Sequence, residues 1–166
     1  MLFNSTLNTL KLNNNMISDL TTLGEALKKN SSLTEITFRG NHINGEQIKT
    51  FSRSFSHNSS LKLLDLSDNP ISYIGISEVI THLRKNSSLT ELDLSIGKHI
   101  QSDQTIVEVL SSILKINTTL NTLIIKELTI NEEERPELID ALRENSTLTN
   151  LDCSSSKTPS LIKFLV

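Results

Sequence analysis

A short polar tag, Asn followed by two Ser or Thr residues and a Leu, occurs six times in 166 residues and ends at Leu7, Leu33, Leu61, Leu89, Leu120 and Leu148. Successive tags are 26, 28, 28, 31 and 28 residues apart. Self-similarity at this period restricts the fold more than any other feature of the chain. A unit of about 28 residues cannot bury its apolar side alone, so copies must stack on one another to make a continuous core.

Each tag opens the same apolar pattern, L-x-x-L-x-L-x-x-N-x-I. It runs complete as Leu7, Leu10, Leu12, Asn15, Ile17 and as Leu61, Leu64, Leu66, Asn69, Ile71, and the second copy reads Leu33, Ile36, Phe38, Asn41, Ile43. The alternation inside L-x-L has the period of two of a half-buried strand. About fifteen residues after the leading Leu the period changes to that of a helix. The apolar positions are then Ile48, Phe51, Phe55 in one copy and Ile76, Val79, Ile80, Leu83 in the next. The fourth copy follows with Val107, Leu110, Leu114 once its three extra residues are allowed for. One strand and one helix per unit, stacked in parallel, predict a curved α/β solenoid.

These residues resemble the leucine-rich repeat, and the period with a helical second half is similar to its ribonuclease-inhibitor-like subfamily. The resemblance covers essentially the whole chain. It implies a horseshoe with parallel strands on the concave face, helices on the convex face, and a single domain over 1–166 with repeats starting near 5, 31, 59, 87, 118 and 146. In that family the pattern Asn bonds backbone groups of the turn after the strand and of the adjoining repeat, a role expected here of Asn15, Asn41 and Asn69. Gly97, Leu128 and Ser156 stand at the corresponding places later in the chain, so the ladder is expected to be interrupted there. The insertion around Ile96-Gly97-Lys98-His99 is expected to bulge, either as drift in a tolerant turn or as a recognition loop.

A solenoid exposes apolar core at its end units unless something covers them. Only Leu2 and Phe3 precede the first repeat. That end is expected to be covered by an upstream segment or, through self-association, by another copy of the chain. Leu161, Phe164 and Leu165 follow Pro159 with helical spacing, so 159–166 is expected to close the last repeat in part. Cys153, the one cysteine, takes the place of the second Leu of L-x-L and is expected to serve as a small core hydrophobe. A lone cysteine excludes an intrachain disulfide and points towards a reducing compartment.

Composition narrows the function. The hydrophobic fraction is 36% with no Trp and one Tyr, so the core is aliphatic. A net charge of -3 and scattered Lys and Arg argue against a nucleic-acid partner. No apolar run approaches the roughly 18 residues of a membrane span, and the N-terminus lacks a signal-peptide pattern. His42, His57, His82 and His99 lack the spacing of a zinc site. No Gly-rich phosphate loop is present and no nucleophile, acid-base group and orienting partner stand out, so neither catalysis nor a cofactor is expected. Glu132-Glu133-Glu134 is read as the solvated start of a helix. Asn4, Asn30, Asn58, Asn86, Asn117 and Asn145 all match the N-glycosylation pattern, but Asn suits the turn after a helix and Ser/Thr the turn beyond it, so the match has a structural cause.

Residues between the leucines face outward and form columns about 4.8 Å apart along the concave face. One column is Lys11, Thr37, Asp65, Asp93, Ile124, Asp152. A second is Thr9, Glu35, Leu63, Glu91, Thr122, Asn150, and a third is Asn13, Arg39, Ser67, Ser95, Lys126, Ser154. Glu35, Asp65, Glu91 and Asp93 therefore form an acidic centre, flanked by Lys11 and Arg39 on one side and Lys126 on the other. Leu63 and Ile124 are expected to be exposed apolar anchors beside it. Charges on an exposed sheet also keep it soluble, and that plainer reading applies to the same residues. The functional expectation is a cytoplasmic protein-interaction module that holds a basic partner surface. It resembles leucine-rich-repeat adaptors, intracellular sensors and the repeat effectors that bacteria deliver into host cytosol. The alternatives are a GTPase-activating protein on this fold and the recognition part of a larger ligase or receptor.

Overall fold

A computed structural model describes residues 4–95, 105–127 and 130–154. The elements alternate in chain order as β1 (Thr9–Lys11), α1 (Thr21–Leu27), β2 (Glu35–Thr37), α2 (Gly45–Ser52), β3 (Leu63–Asp65), α3 (Tyr73–Leu83), β4 (Glu91–Asp93), α4 (Thr105–Ile116), β5 (Thr122–Ile124), α5 (Arg135–Glu144) and β6 (Asn150–Asp152). The six strands form one parallel sheet in the order β1-β2-β3-β4-β5-β6, and each helix packs against the next. This is the α/β leucine-rich-repeat solenoid expected from the period. The loop at Ile96–His99, the positions Gly97, Leu128 and Ser156, and the closing segment 159–166 lie outside the described residues.

The core follows the apolar pattern. The central strand residues Ile36, Leu64, Leu92 and Leu123 are all buried, and so are the leading Leu33, Leu61, Leu89 and Leu120. From the helix side come Ile48 and Phe51, then Ile76, Val79, Ile80 and Leu83, then Val107, Leu110, Ile113 and Leu114. Each such side chain contributes roughly 1.5–3 kcal/mol by burial, against about 0–1 kcal/mol for a surface ion pair. Stacking of apolar layers, not charge, holds the solenoid together. Phe55 departs from the helical expectation. It is buried but lies past the end of α2, where Ser54 Oγ donates to Phe51 O at 2.6 Å and turns the chain. Phe51 nevertheless meets both Phe38 and Phe55 edge-to-face, with centroids 5.6 and 5.4 Å away.

Two asparagine ladders stitch the repeats together. At the strand exit, Asn41 Nδ2 donates to Leu12 O and Phe38 O, while its Oδ1 accepts from the Asn15 and Ile17 amides. Asn69 repeats the arrangement one unit on, donating to Phe38 O and Leu66 O and accepting from the Ile43 amide. Asn15 does not join this ladder. It has no earlier repeat to reach among the described residues, its side chain is exposed, and its Nδ2 donates only to the nearby Asn13 O. At the helix exit, Asn86 Nδ2 donates to Phe55 O and Asn58 O, and its Oδ1 accepts from the Ser88 and Leu89 amides. Asn58 makes the same set with Leu27 O, Asn30 O and the Ser60 and Leu61 amides. The repeated Asn-Ser/Thr-Ser/Thr tag is thus a buried splice between units. A glycan on Asn58 or Asn86 would take one of the two N–H hydrogens of an amide nitrogen that serves two carbonyls inside the protein.

Glycine is required at two kinds of place. Gly40 has φ +67°, the left-handed corner after a strand, and a Cβ there would collide with Asn14 Oδ1. Asn14 and Asp68 occupy the same corner of their repeats at φ 57° and 55°, residue types that tolerate it. Gly75 lies where α3 meets α2, and a Cβ would stand 2.6 Å from Ile71 Cγ2, 2.7 Å from Ile48 Cγ2 and 3.0 Å from Gly45 Cα.

Candidate functional site

Strand register brings the predicted columns together. Thr9, Glu35, Leu63, Glu91, Thr122 and Asn150 are successive partners, and so are Lys11, Thr37, Asp65, Asp93, Ile124 and Asp152. A shallow concavity of about 160 Å³ opens over β2 to β5 and is lined by Glu35, Thr37, Leu63, Leu64, Asp65, Glu91, Asp93 and Ile124. Six of the eight residues singled out in the sequence thus share one surface depression.

Three expectations are corrected. Leu63 and Ile124 are half-buried, not exposed; their register partners on the adjoining strands are Glu35 and Glu91 for Leu63, and Asp93 and Asp152 for Ile124. Arg39 does not flank the acidic centre. Its Nε binds Asp68 Oδ2 at 2.9 Å, in the turn beyond the strand. The third column turns away from solvent in the middle of the sheet, where Ser67 and Ser95 are buried. Lys126 stands at the other side, as expected, with its Nζ on Asp152 Oδ2 at 3.3 Å.

A repeated Asp-x-Ser device follows the strands, with its serine buried at Ser67 and Ser95 and exposed at Ser154. Asp65 Oδ1 accepts both the Ser67 amide at 2.9 Å and the Ser67 hydroxyl at 2.6 Å. Asp93 Oδ1 accepts the Ser95 amide at 2.8 Å and Asp152 Oδ1 accepts the Ser154 amide at 3.0 Å. These aspartates therefore have a local structural task, closing the turn after the strand. One carboxylate oxygen of each is left over for other contacts.

Charge compensation differs along the face. Glu35 is paired with Lys11 at 3.2 Å and Asp152 with Lys126, but Asp65, Glu91 and Asp93 make no ion pair among the described residues. Burial raises the Asp93 carboxyl above the usual aspartate range, and the charge of Asp65 adds to the rise against the lowering effect of the Ser95 bonds and of the Lys126 charge. Asp152 shifts the other way, lowered by its bonds to Ser154 and then by Lys126.

Sequence reasoning did not single out Thr37. It is buried at 7% exposure, lines the concavity beside its register partner Asp65, and its Oγ1 has no hydrogen-bond partner among the described residues. Its position in the outward column was legible, but its burial was not, since that depends on how closely β1 and β3 approach.

Other candidate chemistry is accounted for locally. Ser52 Oγ lies 3.3 Å from His82 Nδ1 with Glu78 nearby, but the same ring nitrogen faces Glu78 O at 2.8 Å and Glu78 Oε2 at 4.0 Å. A proton relay needs the two ring nitrogens to serve different partners, so this group acts as a fastening between α2 and α3. Among the described residues no set of three His, Cys, Asp or Glu side chains is placed to hold a metal, and no helix is long and apolar enough to cross a membrane. Cys153 is half-buried at the last strand, and desolvation, followed by the Asp152 charge, pushes its thiol up to about 11. A thiol held neutral in this way is a poor nucleophile.

A family model described as leucine-rich repeat matches residues 57–79. Comparison with curated protein sequences finds no match. Among solved structures, one described as leiomodin-1 actin-binding site 2 superposes with a TM-score of 0.71 at 23% identity, covering 85% of this chain and 82% of that one. The tropomodulin C-terminal domain of Caenorhabditis elegans superposes with a TM-score of 0.72 at 15% identity, covering 85% of each chain. At these identities the likeness speaks for the fold. Repeat pattern, strand order and both neighbours agree that the chain folds as a leucine-rich-repeat α/β solenoid.

Proposed function

We infer that this solenoid is a protein-recognition module whose concave face holds a partner with a basic surface. The observation that carries the reading is the set of carboxylates at the centre of the face, Asp65, Glu91 and Asp93, that make no ion pair among the described residues, between flanks whose acids are already paired. Partly buried charge without a counter-ion is costly, and a basic partner relieves that cost. The half-buried Leu63 and Ile124 add apolar contact area within the acidic surround, the arrangement of an interface core. A role of this kind is similar to that of repeat adaptors and delivered effectors, both of which recognise proteins.

The test compares the native chain with an Asp65→Lys, Asp93→Lys double variant, shown by circular dichroism to be folded, in affinity capture from eukaryotic lysate followed by binding measurements on the purified captured protein. A partner bound by the native chain at least about tenfold more tightly than by the variant supports the reading. Equal binding by both places recognition on the convex helices or elsewhere and overturns it. Actin is the first defined partner to try, because one structural neighbour is described as an actin-binding site. Co-sedimentation with filaments and native gel shifts with monomers test it.

A second surface concerns association between copies. In the first repeat Leu7 is 41% and Met16 79% exposed, and Leu10, Leu12 and Ile17 are only half-buried. Sedimentation velocity of the native chain beside a Leu7→Lys, Met16→Lys variant tests whether this end joins two copies; a monomer at all concentrations would remove that idea.

A further inference from the structure

We propose that the concavity between β3 and β4 is a receptor for a single lysine side chain of the partner, and that neutralising that lysine, as acetylation does, switches recognition off. The proposal rests on the reading of the concave face as the binding surface and names what its centre selects. Asp65 and Asp93 are register partners on adjacent strands, about 4.8 Å apart along the sheet. Neither is in an ion pair among the described residues. A cluster of acids alone would mean little, but Thr37 supplies a separate sign of an unfilled site. It lines the same concavity, is 7% exposed, and carries a hydroxyl without a partner, a costly state for a buried polar group.

Geometry selects ammonium over guanidinium. Arg holds a carboxylate most strongly when its planar fork engages both oxygens of one group. Here Oδ1 of Asp65 is saturated by the Ser67 amide and hydroxyl, and Oδ1 of Asp93 is held by the Ser95 amide. What remains is one oxygen from each of two aspartates. Single acceptors on different residues suit the three diverging donors of an ammonium. Leu63, two residues before Asp65 on β3, and Ile124, the register partner of Asp93 on β5, are half-buried in the lining and provide apolar surface for the methylene stem. The volume of about 160 Å³ admits the end of one side chain and not a folded segment. Acetylation removes the charge and two of the three donors, leaving one neutral amide N–H where two carboxylate oxygens call for a charged, multiple donor.

The test is a solution-NMR titration of the whole chain with butylammonium, butylguanidinium and N-butylacetamide, as probes for lysine, arginine and acetyl-lysine side chains. Butylammonium is expected to produce saturable shifts in the amides of residues 63–66 and 91–94. Butylguanidinium is expected to bind about tenfold more weakly and N-butylacetamide not to saturate. An Asp65→Asn, Asp93→Asn variant, isosteric and verified as folded by its own spectrum, is expected to lose the butylammonium response. Equal affinity for ammonium and guanidinium overturns selection of lysine, and saturation by N-butylacetamide overturns the switch. Absence of saturable shifts in the concavity overturns the pocket. None of these results touches capture of a partner that depends on Asp65 and Asp93, so the pocket and the wider reading of the face fail separately.

Discussion

Asn86 and Asn4 occupy the same position of the repeat, yet only Asn86 is built into the scaffold on both sides. Its amide reaches back to two carbonyls of the previous unit while its carbonyl oxygen receives two amides of its own turn. Asn4 accepts from the Thr6 and Leu7 amides and is exposed. The strand-exit ladder shows the same contrast between Asn41 and Asn15. A repeat residue reaches its full set of bonds only when a preceding unit presents its carbonyls, so equal sequence does not give equal stabilisation. The concave face shows the converse. Its flanks are paired with Lys11 and Lys126, whereas Asp65, Glu91 and Asp93 at its centre make no ion pair among the described residues.

The largest expected effect is on the scaffold side of that contrast. Asn86→Ala strands two buried carbonyls and two amides at about 1–3 kcal/mol for each unsatisfied group, partly relieved by water, for a net loss of roughly 3–5 kcal/mol. Asn4→Ala is expected to cost under about 1 kcal/mol because solvent replaces the lost bonds. Urea midpoints of the two variants check this, and similar shifts would break the comparison.

Close packing of the helices predicts a smaller gap. Gly75→Ala is expected to destabilise by about 1–3 kcal/mol, since its methyl meets Ile48, Ile71 and the backbone of Gly45. Gly24 lies in the first helix, where an added Cβ would have ordinary 3.5 Å contacts with Phe51. Gly24→Ala is therefore expected to be neutral or to stabilise by about 0.4–1 kcal/mol through helix propensity and reduced unfolded-state entropy. Thermal denaturation of both separates the centre from the end.

Titration gives the finest test. Asp93 has a folded pKa raised above its unfolded value, so the folded state binds the proton more tightly; its contribution is fully present at low pH and is lost as pH rises through the carboxylate range. Asp152 has a lowered folded pKa, so its contribution is present above the unfolded value and is lost as pH falls. Carboxyl-carbon NMR from pH 2 to 7 is expected to show Asp93 titrating above Asp152. Asp93→Asn is expected to flatten the loss of stability on raising pH, whereas Asp152→Asn removes a loss on lowering it. Coincident midpoints would show that centre and flank share one electrostatic environment.

The stacking unit, the strand columns and most of the apolar core were legible in the sequence because each rests on a short period: two for the strand, 3.6 for the helix, and about 28 for the repeat. Glu35, Leu63, Asp65, Glu91, Asp93 and Ile124 could be placed on one surface from that count alone, and the register agrees. Arg39 was misplaced because its long side chain reaches Asp68 in the turn, a choice no periodicity records. Phe55 fits the helical spacing, but Ser54 ends the helix before it.

Spacing by itself determined that this chain is a stack of strand–helix units, since only stacking buries the leucines of such a repeat. Tertiary structure alone decided which side chains are satisfied. Whether Asn86 is a splice, whether Thr37 is buried without a partner, and whether Asp65 and Asp93 lack counter-ions all depend on distances of a few ångströms between neighbouring repeats. Hydrogen bonds and ion pairs fall away over such distances, whereas apolar burial follows from which face a residue is on.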